Sequence, residues 1–118
     1  MTVHYLEIVT PEVDAVCDTY ARVHGVAFGD GDAALGGART AELAGDGMIG
    51  VRPPLRDDEE PVVRPYMLVP DLKAAVDAAS ESGADVAISS MELGEHGTCA
   101  IVLHGGIDVG YWEVEQAA

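Results

Sequence analysis

The sequence predicts an α+β fold built from two tandem βαβββ modules, and three observations support this prediction. The chain repeats itself, with Tyr5–Tyr20 aligning on Arg64–Ala79. Each copy reads as a strand, a turn and an amphipathic helix. Each helix is followed by three further strand-like segments separated by glycine-rich turns. At 118 residues the chain is long enough for one domain with one core.

The two predicted helices share the same apolar spacing of i, i+3, i+4 and i+7. These positions are Val13, Val16, Cys17 and Tyr20 in the first copy and Leu72, Ala75, Val76 and Ala79 in the second. A proline and an acidic residue precede each helix, as suits a first turn. Gly25 and Gly83 follow the helices, where a C-terminal cap is expected.

Six further segments are predicted to be strands. They are GVAF, ARTAELA and GMIGVR in the first half and ADVAISSM, TCAIVL and VGYWEVE in the second half. The segment PPLRDDEEPV contains three prolines and five charged residues, which is typical of a linker. The predicted boundaries are therefore module 1 over about residues 1–52, a linker over 53–62 and module 2 over about 63–118.

Composition excludes several classes of function. With 21 acidic against 6 basic residues the net charge is −15, so a polyanion such as nucleic acid would be repelled. No apolar run approaches the ~18 residues of a membrane span, and the N-terminus lacks the pattern of a signal peptide. Cys17 and Cys99 are expected to be buried free thiols. Together with the missing membrane span and signal-peptide pattern, these thiols predict a cytoplasmic protein. The acid-rich, lysine-poor composition fits either a high-salt habitat or a high-GC genome.

The tandem βαβββ pattern resembles the vicinal oxygen chelate superfamily, which contains glyoxalase I, bleomycin-resistance proteins and extradiol dioxygenases. The stretches that carry the resemblance are TPEVDAVCDTY, VPDLKAAVDAASESGADV and HGGIDVGYW, the last with HGGID where the family usually has DPDG. The resemblance covers nearly the whole chain. It implies a curled mixed sheet around a cleft, and it implies a homodimer because small members usually dimerise.

The resemblance also implies where a divalent metal would bind. Glyoxalase-type members use four side chains, one on the first and one on the last strand of each half. These positions fall on Tyr5 and Arg64 and near Gly50 and Gly110. Arginine carries a permanent charge and offers no lone pair, and glycine offers no side chain. The family's metal site is therefore predicted to be absent, and no cofactor is expected.

Strand alternation selects the residues that would line the cleft. If Tyr5 faces the cleft then Glu7 does too, and His4 points the other way. The predicted ligand-binding residues are Tyr5, Glu7, Met48, Arg52, Arg64, Tyr66 and Trp112. A buried carboxylate at Glu7 needs a partner, which either arginine could supply. Two alternatives stay open: a structural ion pair, or an arginine that holds an anionic or carbonyl ligand while Tyr66 and Trp112 stack on it.

The catalytic candidates are Glu7 and His96. His96 lies in the loop LGEHGTC, so it is either an acid or base at the rim of the cleft or an ordinary surface histidine. His104 at a strand end is a weaker candidate. His24 suits the C-terminus of the first helix, where a cation is favoured.

Three functional hypotheses follow. The first is a metal-independent protein that binds a small organic molecule, with catalysis left open. The alternative is a metal-dependent lyase, isomerase or dioxygenase whose displaced ligands would come from the set His4, Glu7, His96, His104 and Glu113. The third is a structural or interaction domain whose cleft is filled.

Overall fold

The computed structural model describes residues 1–115 and confirms the α+β prediction. In chain order the elements are β1 (Val3–Val9), α1 (Val13–His24), β2 (Gly31–Asp32), β3 (Ala38–Glu42), β4 (Met48–Arg52), β5 (Val62–Leu68), α2 (Leu72–Glu81), β6 (Asp85–Glu92), β7 (Thr98–His104) and β8 (Ile107–Glu113), with single 3-10 turns at Ala33–Leu35 and Gly94–His96. The order βαβββ thus occurs twice, as the internal repeat predicts. No helix in residues 1–115 is long and apolar enough to cross a membrane.

The first module forms a mixed sheet in the order β2-β3-β4-β1. Strand β1 runs parallel to β4, with Glu7 opposite Gly50, and β3 pairs antiparallel with β4. Helix α1 buries Cys17 against a cluster that includes Ile8 and Ile49. Cys17 is a free thiol, as predicted, and burial raises its pKa.

The second module repeats this arrangement in the order β5-β8-β7-β6. Strand β5 runs parallel to β8, with Tyr66 opposite Gly110, while β7 pairs antiparallel with both β8 and β6. Helix α2 packs Leu72 and Val76 against Ala100 of β7. Cys99 on β7 is also buried.

By its contacts the chain divides into two compact units. One unit is Tyr5–Val63, and the other combines Met1–His4 with the chain from Arg64 onward. The N-terminal residues join the second unit partly because the Leu68 N–H donates to the Thr2 carbonyl at 2.8 Å.

The helix ends follow the predicted signals closely. Gly25 caps α1 in the left-handed conformation at φ 66° and donates its N–H to the Ala21 carbonyl. Asp71 caps the start of α2, because its carboxylate accepts from the Ala74 N–H at 3.0 Å. The C-cap of α2 is Ser82, and Gly83 follows it at φ 102°.

One predicted strand is wrong. Residues 25–28, the segment GVAF, have no strand pairing, and the edge strand β2 forms only at Gly31–Asp32. Val26 and Phe28 instead pack from an irregular segment against the α1 cluster. These apolar side chains are therefore partly buried without belonging to a hydrogen-bonded ladder.

Candidate functional site

Strands β1 and β4 present two chemically different faces. Ile8 on β1 and Ile49 on β4 belong to the apolar cluster beneath α1. The alternate residues Tyr5 and Glu7 lie on the opposite face, as the alternation predicts, and Arg52 of β4 joins them there. The first module therefore places Tyr5, Glu7 and Arg52 together on the side of its sheet away from the helix.

The Tyr5 side chain lies across Gly50 of the neighbouring strand. A Cβ built at Gly50 would sit 2.5 Å from Cζ and 2.9 Å from Cε1 of Tyr5, which is closer than any real contact. Tyr5 is 2% exposed. Burial raises the pKa of its phenol well above the ordinary value, and the nearby Glu7 carboxylate raises it further. The tyrosine ring thus occupies the space that any larger residue at position 50 would need.

Arg52 is the centre of a buried ionic network. Its Nε donates to Glu7 at 2.9 Å, which settles which arginine pairs with that carboxylate. Its Nη1 and Nη2 donate to the two oxygens of Glu59 at 3.0 and 2.8 Å, in the planar two-point geometry that suits a guanidinium and a carboxylate. Nη1 also donates to the Pro53 carbonyl at 3.1 Å. The structural ion pair expected for Glu7 is therefore present, and it extends to a second acid.

Glu59 comes from the segment between the two modules and completes this network. One of its oxygens also accepts from the Leu55 N–H at 2.7 Å. The hydrogen bonds from Arg52 lower the pKa of the Glu59 carboxyl to about 2, although burial acts in the opposite direction. Hydrogen bonding to Glu59 and Glu7 also raises the pKa of Arg52. The guanidinium and the Glu59 carboxylate are therefore both charged throughout the neutral range.

The lowered pKa of Glu59 predicts how stability depends on pH. A carboxyl whose folded-state pKa lies below its ordinary 4.5 contributes stability that is complete above about pH 5 and is lost as the pH falls toward 2. Replacing Glu59 with glutamine should cost about 1–2 kcal/mol of unfolding free energy at pH 7. We expect the difference from wild type to shrink between pH 5 and pH 2.

Urea titrations at a series of pH values would measure this difference. Glu60→Gln, at the exposed next position, controls for the loss of one negative charge. A Glu59→Gln difference that stays constant down to pH 2 would contradict the proposed pairing of Glu59 with Arg52.

The second module places its arginine in a simpler pair. Arg64 on β5 donates from Nη2 to Asp108 at 2.9 Å. The Arg64 side chain is 11% exposed and that of Asp108 is 38% exposed, so the pair opens toward solvent on the aspartate side. Asp108 lies just after the glycine turn in HGGID, near the start of β8.

Aromatic side chains fill the neighbouring part of the second module. Tyr66 lies over Gly110, where a Cβ would sit 2.6 Å from the ring carbon Cγ. Tyr66 and Trp112 meet edge to face with their centroids 5.6 Å apart, and the His4 ring lies 5.6 Å from Trp112. Trp112 donates its indole N–H to the His96 carbonyl at 2.8 Å. The tyrosine-over-glycine contact of the first module therefore has a counterpart here.

The remaining candidate residues have varied surroundings. Met48 is half-buried opposite Tyr5 in the register of β1 and β4. His96 ends the short 3-10 turn before β7, and its backbone carbonyl serves Trp112. His24 lies in the last turn of α1, as predicted, with its ring stacked on Tyr20 at 5.7 Å.

The displaced metal ligands of the alternative hypothesis are engaged elsewhere or spread out. Glu7 binds Arg52, and Glu113 accepts from the Leu72 N–H at 2.8 Å at the start of α2. His104 is exposed at the end of β7. Within residues 1–115 no group of three or more His, Cys, Asp or Glu side chains is arranged to hold a metal ion. The four positions implied by the resemblance, Tyr5, Gly50, Arg64 and Gly110, do not fit a divalent cation either.

Known proteins resemble this chain in structure but not detectably in sequence. No family model matches the sequence, and no protein with a curated description matches it. Solved structures do match. A hypothetical protein from Bacillus halodurans C-125 superimposes with a TM-score of 0.71 at 15% identity, covering 99% of this chain and 96% of that one.

Two methylmalonyl-CoA epimerases are also similar. The enzyme from Mycobacterium tuberculosis gives a TM-score of 0.74 at 14% identity, over 97% of this chain and 88% of its own. A Streptomyces coelicolor variant in complex with 2-nitronate-propionyl-CoA gives 0.66 at 16% identity, over 97% of both chains. At 14–16% identity these likenesses show that the chain shares the fold of these proteins.

Proposed function

We propose that the chain is a metal-independent protein of the vicinal oxygen chelate fold that binds a small organic molecule, anionic or carbonyl-containing. The observation that carries the proposal is the packing of Tyr5 across Gly50. A phenol held by burial in its neutral form is a poor ligand for a divalent cation, and Gly50 brings no donor atom. Tyr5 and Gly50, two of the four positions where the resemblance implies a metal ligand, are therefore proposed not to bind one.

Arg64 and its surroundings support a ligand of this kind. The Arg64–Asp108 pair is partly open to solvent on the aspartate side, where the Asp108 side chain is 38% exposed. Guanidinium groups bind carboxylates and carbonyl oxygens through a fixed fork of donors. The solved S. coelicolor epimerase variant is a protein of this fold in complex with an acyl-CoA analogue. Arg64 is therefore the residue we propose to recognise the ligand in the second module.

A second candidate function is a structural or interaction domain. It is favoured by the burial of the predicted cleft aromatics, because Tyr5, Tyr66 and Trp112 are each 3% exposed or less. Side chains packed this fully leave little of their own surface for a ligand.

Native mass spectrometry combined with metal analysis of the purified protein tests the proposal. We expect a homodimer without stoichiometric metal and a bound small molecule that solvent extraction releases. Arg64→Gln should lose this molecule, whereas Arg22→Gln, at an exposed position on α1, should keep it. Stoichiometric Mn, Fe, Ni or Zn that disappears in Glu7→Gln would overturn the metal-independent reading. A ligand-free protein that binds no small carboxylate or carbonyl compound would favour the second candidate.

A further inference from the structure

We propose that Arg52 is a carboxylate-binding site that the protein's own Glu59 occupies. In this proposal residues 56–61, defined here as the latch, are held closed by Glu59, and a small carboxylate ligand opens them by taking its place. The inference adds to the proposed function a carboxylate site in the first module, separate from Arg64, and in that respect it rests on the proposed function.

The geometry around Glu59 is that of a bound carboxylate. Its two oxygens receive N–H groups from Nη1 of Arg52 at 3.0 Å, Nη2 at 2.8 Å and the Leu55 backbone at 2.7 Å. Three donors that converge on one carboxylate form a site for an anion, with the guanidinium fork setting its plane. Nothing in this donor set requires that the carboxylate belong to the chain.

Arg52 keeps its position and its charge balance without Glu59. Its Nε remains bound to Glu7 at 2.9 Å, and Nη1 remains within reach of the Pro53 carbonyl at 3.1 Å. Glu7 alone neutralises the guanidinium, whereas Glu7 and Glu59 together give the network one excess negative charge. Because a monocarboxylate ligand has the same charge as Glu59, exchanging one for the other changes no net charge in a place where unpaired charge is costly.

The latch is positioned for such an exchange. Arg52 is buried, but the Glu59 side chain that covers its outer edge is 14% exposed, and Leu55 through Asp58 are exposed. Opening therefore requires the movement of a surface segment rather than the disruption of a core. Pro53 and Pro54 precede the latch and Pro61 ends it, which restricts it to few conformations.

The net charge of the chain also restricts the class of ligand that Arg52 can bind. The chain carries a net charge of −15, so a multiply charged anion such as a polyphosphate meets strong repulsion, whereas a monocarboxylate meets little. The planar fork favours a carboxylate over a spherical anion such as chloride. The ligand class inferred for Arg52 is thus a small monocarboxylate.

A rescue experiment in the full chain tests this inference. Glu59→Ala removes the internal carboxylate and leaves a space, while Glu59→Gln removes the charge but fills the space. At pH 7 we expect 100 mM sodium acetate or formate to raise the Tm of Glu59→Ala by about 4 °C relative to sodium chloride at the same ionic strength. Glu59→Gln should show no difference between these salts, and wild type should respond less than Glu59→Ala because its own Glu59 competes with the added carboxylate.

Each outcome decides the matter. A folded Glu59→Ala protein without a carboxylate-specific rise overturns the site, and so does an equal rise in Glu59→Gln. If Glu59→Ala does not fold, the rate of trypsin cleavage after Arg56 is measured instead, in Glu59→Gln and in wild type. Release of the latch should speed that cleavage at least about fivefold over wild type, and an unchanged rate overturns the latch.

The probes are acetate and formate rather than a natural ligand, so this test is separate from that of the proposed function. If acetate or formate raises the Tm of Glu59→Ala but the purified wild type carries no small molecule, the carboxylate site is supported and the proposed function is contradicted. If wild type carries a bound molecule but the Tm of Glu59→Ala does not rise, the proposed function is supported and the carboxylate site is contradicted.

Discussion

Replacing Arg52 with methionine is expected to lower the free energy of unfolding by about 3–5 kcal/mol, which is the usual cost of removing one partner from a buried ion network. Methionine matches the length of the arginine stem but leaves the carboxylates of Glu7 and Glu59 without their shared cation. Glu7 suffers most, because it is 8% exposed. Equilibrium unfolding in urea at pH 7 would measure the effect.

The matched control for this substitution is Arg22→Met on α1. Arg22 pairs with Asp18 on the helix surface with its side chain 80% exposed, so its removal should change stability by no more than about 0.5 kcal/mol. Adding Glu7→Leu to Arg52→Met should recover part of the loss, since no unpaired charge then remains at position 7. A loss below about 1 kcal/mol for Arg52→Met alone would mean that the network is not a stabilising core element.

Gly50→Ala is expected to destabilise the protein by about 1–3 kcal/mol, although it adds a single methyl group. The new Cβ would sit 2.5 Å from Cζ of Tyr5, and the buried ring has little room to move aside. Thermal or urea unfolding would show the loss, and near-ultraviolet circular dichroism would report the displacement of the tyrosine.

Gly29→Ala provides the control for the loss of glycine itself. A Cβ at Gly29 would have its nearest neighbour, the Thr40 carbonyl oxygen, at 4.0 Å, so the substitution should be close to neutral. The double variant Gly50→Ala with Tyr5→Leu should lose less than the sum of the two single changes, because the shorter side chain relieves the contact. Additive losses would show that Tyr5 and Gly50 do not pack on one another.

The sequence predicts most of the fold because the signals that define it are local. Helix α1 is specified by Val13, Val16, Cys17 and Tyr20 on one face and by Gly25 at its end, and none of these depends on distant contacts. The strand predicted for the segment GVAF is wrong because strand formation is not decided locally. Whether an extended segment joins a sheet depends on a partner elsewhere in the chain, and β3 pairs with Gly31–Asp32 instead.

For the candidate site, strand alternation predicts which side chains share a face of the sheet but not which side chains pair with one another. Alternation places Tyr5 and Glu7 on one face, and the structure agrees. It could not choose between Arg52 and Arg64 as the partner of Glu7, because that choice depends on which strands lie side by side. Glu59 carried no signal at all: it is one of five charges in PPLRDDEEPV, and its approach to Arg52 depends on the path of an irregular segment.

The two tyrosine–glycine contacts arise from different positions of the internal repeat. Gly50 and Gly110 occupy the same place in the two copies, opposite Glu7 and Tyr66 in the strand registers. The ring that covers Gly50, however, comes from Tyr5, two residues earlier than the position that matches Tyr66. The two modules therefore reach the same packing from different positions of the repeat, so the alignment of the two copies alone does not predict which side chain covers each glycine.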